Sequence, residues 1–145
     1  MKTIVAAIDF SDATDLVVET AVAQAKAFGA ELHLVHVLER EPAYTAYGFT
    51  PDEFPAMHTF HEEAGRRAKK RLDAIAADVE GVQRHLVDGS PLQALLDYVK
   101  ENGADLMVLG SHGHGMVASL LIGSVAEGMV RKAVVPTLVV PVTAS

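Results

Sequence analysis

The sequence contains no cysteine, and no apolar run in it is long enough to span a lipid bilayer. Without cysteine the chain can form neither a disulfide bond nor a thiolate metal site. The opening segment MKTIVAAIDFSD has one lysine and a short apolar run that Asp9 interrupts. A signal peptide needs a longer apolar stretch followed by a small-residue cleavage site. We therefore expect a cytoplasmic protein that does not bind to a membrane.

Basic charge is also scarce. The 12 Lys and Arg residues stand against 19 Asp and Glu residues, which gives a formal net charge of −7. Nucleic-acid-binding proteins present a basic surface to the phosphates, so nucleic acid is not an expected partner. The local run RRAKKR at 66–71 is interpreted as a solvated helix face, because Glu62 and Glu63 stand four residues before Arg66 and Arg67. Small molecules and other proteins are the expected partners.

Apolar runs alternate with amphipathic stretches along the whole chain, and we expect one domain spanning residues 1–145. Periodicity and turn residues predict strands at 3–8, 31–38, 82–87, 105–109 and 137–142. They predict helices at 11–28, 61–79, 90–102 and 124–133, with Ser11 and Ser90 as N-caps. Residues 39–60 contain three prolines and several aromatics without a clear period, and they predict a long irregular excursion.

This alternation is typical of an α/β fold, a parallel sheet covered by helices on both faces. Right-handed crossovers favour five strands in the order 3-2-1-4-5, so the winding direction reverses between strands one and four. Ligands of such sheets bind at this reversal, beyond the carboxyl ends of the strands. Asp9 follows the first strand and Gly110 follows the fourth. Both residues are therefore predicted to lie at a ligand site.

A glycine-rich segment, GSHGHGMVASLLIGS, occupies residues 110–124. Gly110 lets the chain leave the strand sharply, and Gly113 lets the backbone approach a ligand closely. Gly123 precedes the last predicted helix, so no side chain covers the amides at its start, and phosphate oxygens can reach them. These amides belong to Ser124, Val125 and Ala126. The alternative interpretation is a glycine-rich turn that ends in an ordinary helix cap.

The spacing G-x2-G-x9-G-[S/T] at Gly110, Gly113, Gly123 and Ser124 resembles the ATP-binding signature of the universal stress protein family. Further segments resemble the same family, namely AIDFS at 7–11, LVHVL at 34–38, DGSP at 88–91 and VPTLVVP at 135–141. The resemblance covers essentially the whole chain and is weakest at 40–60. It implies a Rossmann-like fold of the adenine nucleotide alpha hydrolase type.

The resemblance also implies a binding site for ATP, or for ADP or AMP. Asp9 would contact the ribose or adenine, the main chain of Val37 would meet adenine, and the glycine segment would surround ribose and phosphates. The full set of binding residues is Ala7, Ile8, Asp9, Val37, Gly110, Ser111, His112, Gly113, Gly123, Ser124 and Val125. The glycine segment has no lysine, so main-chain amides, with Mg²⁺ coordinated through the phosphates, are expected to offset the phosphate charge. No catalytic residue and no protein ligand to a metal is assigned.

Members of this family commonly form homodimers through antiparallel pairing of their last strands, here Thr137 to Val142. Such pairing would protect an apolar edge that is otherwise prone to aggregation. The expected function is that of a nucleotide-dependent stress-response regulator, whose nucleotide occupancy changes the surface offered to an unidentified protein partner.

Two other functions remain open. The first is slow ATP hydrolysis, with His112 or His114 assisting attack by water. The second is a structural or interaction dimer that binds no nucleotide. The near match to a dinucleotide fingerprint at Gly113, Gly115 and Ala118 is rejected because its first glycine does not directly follow a strand. A Walker A lysine and an SGG-x-D-S pyrophosphatase loop are both absent. His58 and His61 have metal-ligand spacing, but no further ligand pair is evident, and a surface role is expected.

Overall fold

The computed structural model describes residues 1–39, 44–112 and 123–141. Its strands are β1 (Thr3–Ala7), β2 (Glu31–Leu38), β3 (Val82–Asp88), β4 (Leu106–Gly110) and β5 (Thr137–Val140). Its helices are α1 (Thr14–Phe28), α2 (Phe54–Ala74), α3 (Pro91–Glu101) and α4 (Ser124–Lys132). Two short 3₁₀ turns, Tyr44–Tyr47 and Pro51–Glu53, precede α2.

The five strands form one parallel sheet in the order β3-β2-β1-β4-β5, which confirms the predicted topology. The register places Ala6 of β1 beside Leu34 of β2 on one side and Val108 of β4 on the other. The carboxyl ends of β1 and β4 therefore meet at one edge of the sheet. The connections from these two strands leave in opposite directions, so a crevice opens between them.

Two apolar layers sandwich the sheet. On one face, side chains of α1 and Leu72 of α2 pack against Ile4, Ala6 and Leu34. On the other face, side chains of α3 and α4 pack against Val5, Val35 and Met107. Neighbouring residues of each central strand thus point into opposite apolar layers. Because both layers are buried, the sequences of these strands are continuous apolar runs. In the described residues, no helix combines the length and apolar character needed to cross a membrane.

The helix after β2 differs from its prediction at both ends, because α2 begins at Phe54 rather than at His61 and ends at Ala74 rather than at Val79. Pro55 lies in the first turn, where its missing N–H costs no hydrogen bond. The end is set by Arg84 of β3, whose Nη2 donates to the carbonyls of Ile75 at 2.6 Å and Ala76 at 2.8 Å. The predicted excursion at 39–60 therefore contains two 3₁₀ turns and the start of a helix, while residues 40–43 lie outside the described residues.

Two further bounds differ from their predictions by more than one residue. Helix α1 begins at Thr14 with Ala13 at the N-cap, and Ser11 instead accepts the amide of Ala13 at 3.3 Å in the turn before the helix. Strand β5 ends at Val140, Pro141 lies beyond it, and Val142 is outside the described residues. By contrast, α3 has Ser90 at its N-cap and Pro91 at its first position, as predicted.

Candidate functional site

A cavity of about 410 Å³ opens at the carboxyl edge of the sheet, between the ends of β1 and β4 and the start of α4. Its volume lies within the range of small-molecule pockets. Every described residue of the predicted site lines it, namely Ala7, Ile8, Asp9, Val37, Gly110, Ser111, His112, Gly123, Ser124 and Val125. Gly113 belongs to the same prediction and lies outside the described residues. Residues from three strands and one helix are thus brought around one space.

The start of α4 forms one end of this cavity. The amide of Gly123 donates to the carbonyl of Ser111 at 2.6 Å, and the carbonyl of Gly123 accepts the amide of Glu127 at 2.9 Å. Helix geometry leaves the first three N–H groups of α4 without an acceptor inside the helix, and Gly123 has no side chain to cap them. These three residues, Ser124, Val125 and Ala126, all line the cavity. The arrangement suits an anion, because the positive end of the helix dipole coincides with the open donors.

The turn after β1 forms the opposite side. The amide of Ile8 donates to the carbonyl of Val35 in β2 at 2.8 Å, which continues the sheet one residue beyond the strand. Asp9 then accepts the amide of Ser11 on its Oδ1 at 3.0 Å, and its side chain remains exposed at the cavity. A carboxylate held in this way can accept hydrogen bonds from hydroxyl groups such as those of a ribose.

Sequence reasoning missed several residues of the cavity wall. His36 lines it beside Val37, and its Nδ1–H donates to the carbonyl of Ile8 at 2.6 Å. The apolar part of the wall includes Ala13, Val17, Val35, Leu95 and Leu109. Strand alternation combined with the predicted strand order could have found Leu109, near the carboxyl end of β4, and Val35, which pairs with Ala7 at the end of β1. The contacts of His36 depend on tertiary structure and leave no local signal.

The polar lining carries little positive charge. Among the described residues, the ionisable groups of the wall are Asp9, Glu39, His36 and His112, with no lysine or arginine. The Nδ1 atom of His112 lies 2.9 Å from the hydroxyl oxygen of the buried Ser111. An anionic ligand here would depend on main-chain amides, on histidine, or on a cation that it brings with it.

A neighbouring recess of about 470 Å³ is slightly larger, but its chemistry is unsuited to an anion. It is lined by the carboxylates of Glu39, Asp88 and Asp97 beside the start of α3. The described residues contain no group of three histidine or acidic side chains arranged to hold a metal ion. His58 instead lies 2.5 Å from Glu62 on an exposed face of α2, and His61 borders an apolar groove formed with the 3₁₀ turns.

Comparison with known proteins identifies relatives over the whole length of the fold. The model of the universal stress protein family matches residues 1–141. A universal stress protein of Thermus aquaticus is 35% identical over 145 residues, covering 96% of this chain and 98% of that protein.

Solved structures show the same architecture. The universal stress protein UspA from Lactobacillus plantarum superposes with a TM-score of 0.76 at 24% identity, covering 96% of this chain and 97% of that one. A universal stress protein solved in complex with cAMP is 27% identical with a TM-score of 0.60, covering 96% of this chain and 95% of that one.

Proposed function

The chain belongs to the universal stress protein family, and from this premise we propose that it binds an adenine nucleotide in the cavity at the carboxyl edge of β1 and β4. ATP is the expected ligand, with ADP and AMP as alternatives. The expected role is that of a regulator whose nucleotide occupancy alters the surface presented to a protein partner. The observation that carries the proposal is that the open amides of α4 face the same cavity as Asp9 and Val37.

The chemistry of the cavity favours a ligand with an anionic tail and a flat, weakly polar head. The tail would lie against the amides of Ser124 and Val125, and the head against the apolar wall at Ile8 and Val37. A ribose between them would come within reach of Asp9. The relative that was solved with cAMP supports an adenine nucleotide as the class of ligand.

Magnesium is expected to arrive with the phosphates. The lining has no lysine or arginine among the described residues, so amides alone would face the several negative charges of a triphosphate. The cation would be held through phosphate oxygens and water, as is usual for Mg²⁺. Its contribution would be to offset phosphate charge.

The proposal is tested by comparing Ser124→Asp with Ser124→Asn, using calorimetric titration with Mg-ATP and with AMP. Aspartate in the first turn suits the helix dipole, so the fold should stay intact while the new carboxylate repels the phosphate tail. We expect Ser124→Asp to weaken Mg-ATP binding by about tenfold or more, since like charges a few ångströms apart repel by one to several kcal/mol at a protein surface. The neutral Ser124→Asn should bind within about threefold of the wild type.

Ser90→Asp provides the matched control, because it places the same carboxylate at the start of α3, outside this cavity. It should leave nucleotide affinity unchanged. Equal affinity in Ser124→Asp and Ser124→Asn would place the phosphates elsewhere. A wild-type protein that shows neither binding nor a thermal shift with ATP or AMP would support the nucleotide-free structural module instead, since a ligand bound to the native state must raise its stability.

Slow hydrolysis is a second candidate, favoured by the position of His112 on the cavity wall. His112 or His114 would then assist the attack of water on the terminal phosphate. Single-turnover hydrolysis in the wild type and in His112→Ala separates the two functions. A wild-type rate equal to that of buffer leaves binding alone.

We also propose a homodimer formed by antiparallel pairing of β5 across a twofold axis. Strand β5 is the last strand at one edge of the sheet, and Val134 beside it is 77% exposed. An apolar edge of this kind is normally covered.

A further inference from the structure

The turn between β1 and α1 is held by side chains from distant parts of the chain. The Nδ1–H of His36 in β2 donates to the carbonyl of Ile8 at 2.6 Å. Since a carbonyl can only accept, the proton of a neutral His36 must sit on Nδ1, and Nε2 is then a bare acceptor. His36 thus contacts the main chain directly before Asp9, the residue expected to reach the ribose or adenine.

Phe10, which follows Asp9, has a backbone conformation that aromatic residues rarely adopt. Its φ is +59°, in the left-handed region. Such a conformation persists only where surrounding contacts enforce it, and it is frequent at ligand sites. The ring of Phe10 lies 4.5 Å from that of His36, centroid to centroid. The guanidinium carbon of Arg71 in α2 lies 4.2 Å from the centroid of the same ring.

From these contacts we infer that His36, supported by Phe10 and Arg71, is a positioning residue that holds the Asp9 turn in its ligand-binding geometry. The expected effect on ligand affinity rests on the proposed nucleotide site, whereas the restraint on the turn rests on the hydrogen bond from His36 to Ile8. The imidazole fixes the carbonyl of Ile8, and its packing against the ring of Phe10 keeps Phe10 itself in the left-handed conformation. Asp9, between the two, is thereby directed towards the cavity while Ser11 donates to its Oδ1.

The first test compares His36→Asn, His36→Gln and His36→Ala. The amide nitrogen of asparagine is as many bonds from Cα as Nδ1, and that of glutamine as many as Nε2. If His36 positions the turn, His36→Ala and His36→Gln should each lower the affinity for Mg-ATP and for AMP by the same factor, about tenfold. The reason is that the Asp9 turn is then no longer held in its binding geometry before the nucleotide arrives. Asparagine should restore affinity to within about threefold of the wild type. The ratio of ATP to AMP affinity should stay constant, whereas Ser124→Asp changes it.

The second test needs no nucleotide. In the imidazole ¹⁵N spectrum of the wild type, neutral His36 should carry its proton on Nδ1. The amide of Ser11 should exchange with solvent faster in His36→Ala than in the wild type, and His36→Asn should restore its protection. Arg71→Gln should also accelerate this exchange, because it removes the guanidinium that lies over Phe10. Arg67→Gln, which changes another exposed arginine of the same helix, should not.

These results separate the two proposals. If the wild type binds neither nucleotide, the proposed function fails, and the tautomer and the Ser11 exchange still decide the positioning role. If the wild type binds and His36→Ala binds equally well, the positioning role is wrong. Rescue by glutamine instead of asparagine, or a proton on Nε2, would overturn it as well, because His36 would then act through its other nitrogen.

Discussion

At the scale of single residues, the buried His33 contacts side chains of α3, of β3 and of its own strand β2. Its Nδ1 lies 2.7 Å from the hydroxyl of Tyr98 in α3, and its Nε2 lies 3.5 Å from Glu31. The ring of His85 in β3 lies 5.4 Å from that of His33, and its pKa is lowered by burial and by the neighbouring charges of His33 and Lys69. Burial, aided by the charge of Glu31, raises the pKa of Tyr98 to about 12. The network therefore favours neutral forms of both Tyr98 and His85.

Replacing Tyr98 by phenylalanine should lower the free energy of unfolding at neutral pH by about 1–3 kcal/mol, because a buried nitrogen of His33 loses its partner. The difference between the two proteins should shrink in alkali. The raised pKa of Tyr98 means that the folded state resists deprotonation, so the wild type loses stability as the pH rises from 10 towards 12. Tyr98→Phe lacks this loss. Urea unfolding at several pH values should show the two stabilities converging over that window.

Tyr47→Phe is the control for this comparison, because the side chain of Tyr47 is 72% exposed. It should unfold like the wild type at every pH. If the free energies of unfolding of the wild type and Tyr98→Phe differ by a constant amount between pH 7 and pH 12, ionisation of Tyr98 does not destabilise the folded state, and the prediction is wrong.

At the scale of secondary-structure elements, α4 approaches Leu92 of α3 closely at Gly128. A Cβ built at this position would lie 2.3 Å from Cδ2 of Leu92, and its three nearest atoms all belong to Leu92. Glycine inside a helix is otherwise unfavourable by about 1 kcal/mol relative to alanine. Close approach of the two helices thus explains why glycine is present here, one turn beyond the amides at the cavity.

A double-mutant cycle tests this packing. Gly128→Ala should fail to stabilise the wild-type protein, because overpacking against Leu92 costs about as much as the helix gains, or more. In a Leu92→Ala background the same substitution should stabilise by about 1 kcal/mol, the ordinary propensity gain. Denaturant unfolding of the four proteins gives the coupling energy. Leu96→Ala, also in α3, serves as the control background, and equal effects of Gly128→Ala in all backgrounds would contradict the clash.

At the scale of the whole molecule, the outer edge of β5 is the surface at which the proposed homodimer would form. The carbonyls of Pro136 and Val140 accept amides of Met107 and Ser111 at 3.0 and 2.9 Å. Because the backbone groups of a strand alternate in direction, those of Thr137 and Val139 point away from β4, to the outer edge. This edge is where a second copy would pair.

Val139→Pro should therefore convert the proposed dimer into a folded monomer, because it removes an outward-facing N–H and leaves the bonds to β4 intact. Light scattering coupled to size exclusion would measure the mass, and circular dichroism the fold. Val139→Thr, which keeps the N–H, should remain dimeric. If Val139→Pro is still a dimer, the dimer uses another surface. If the wild type is a monomer, the proposed homodimer is wrong.

Short-range patterns in the sequence were sufficient to predict the class of the fold. Apolar runs that alternate with amphipathic stretches predicted the five strands, because a strand that packs against helices on both faces is apolar throughout. Their order followed because right-handed crossovers leave few topologies. The position of Asp9 and Gly110 at the switch point followed from that order. The glycine spacing, together with the family resemblance, selected a set of residues whose described members line one cavity, and their role in nucleotide binding stays a prediction.

Only the tertiary structure decided which distant side chains complete these elements. Arg84 of β3 binds the carbonyls at the end of α2, Leu92 occupies the space beside Gly128, and His36 reaches the carbonyl of Ile8 across 28 residues of sequence. Periodicity describes how a residue relates to its neighbours along the chain, whereas these contacts depend on which elements lie side by side and at what distance. The cavity, with its amides, its carboxylate and the histidine behind the turn, exists only once the sheet has brought β1, β2 and β4 to a common edge.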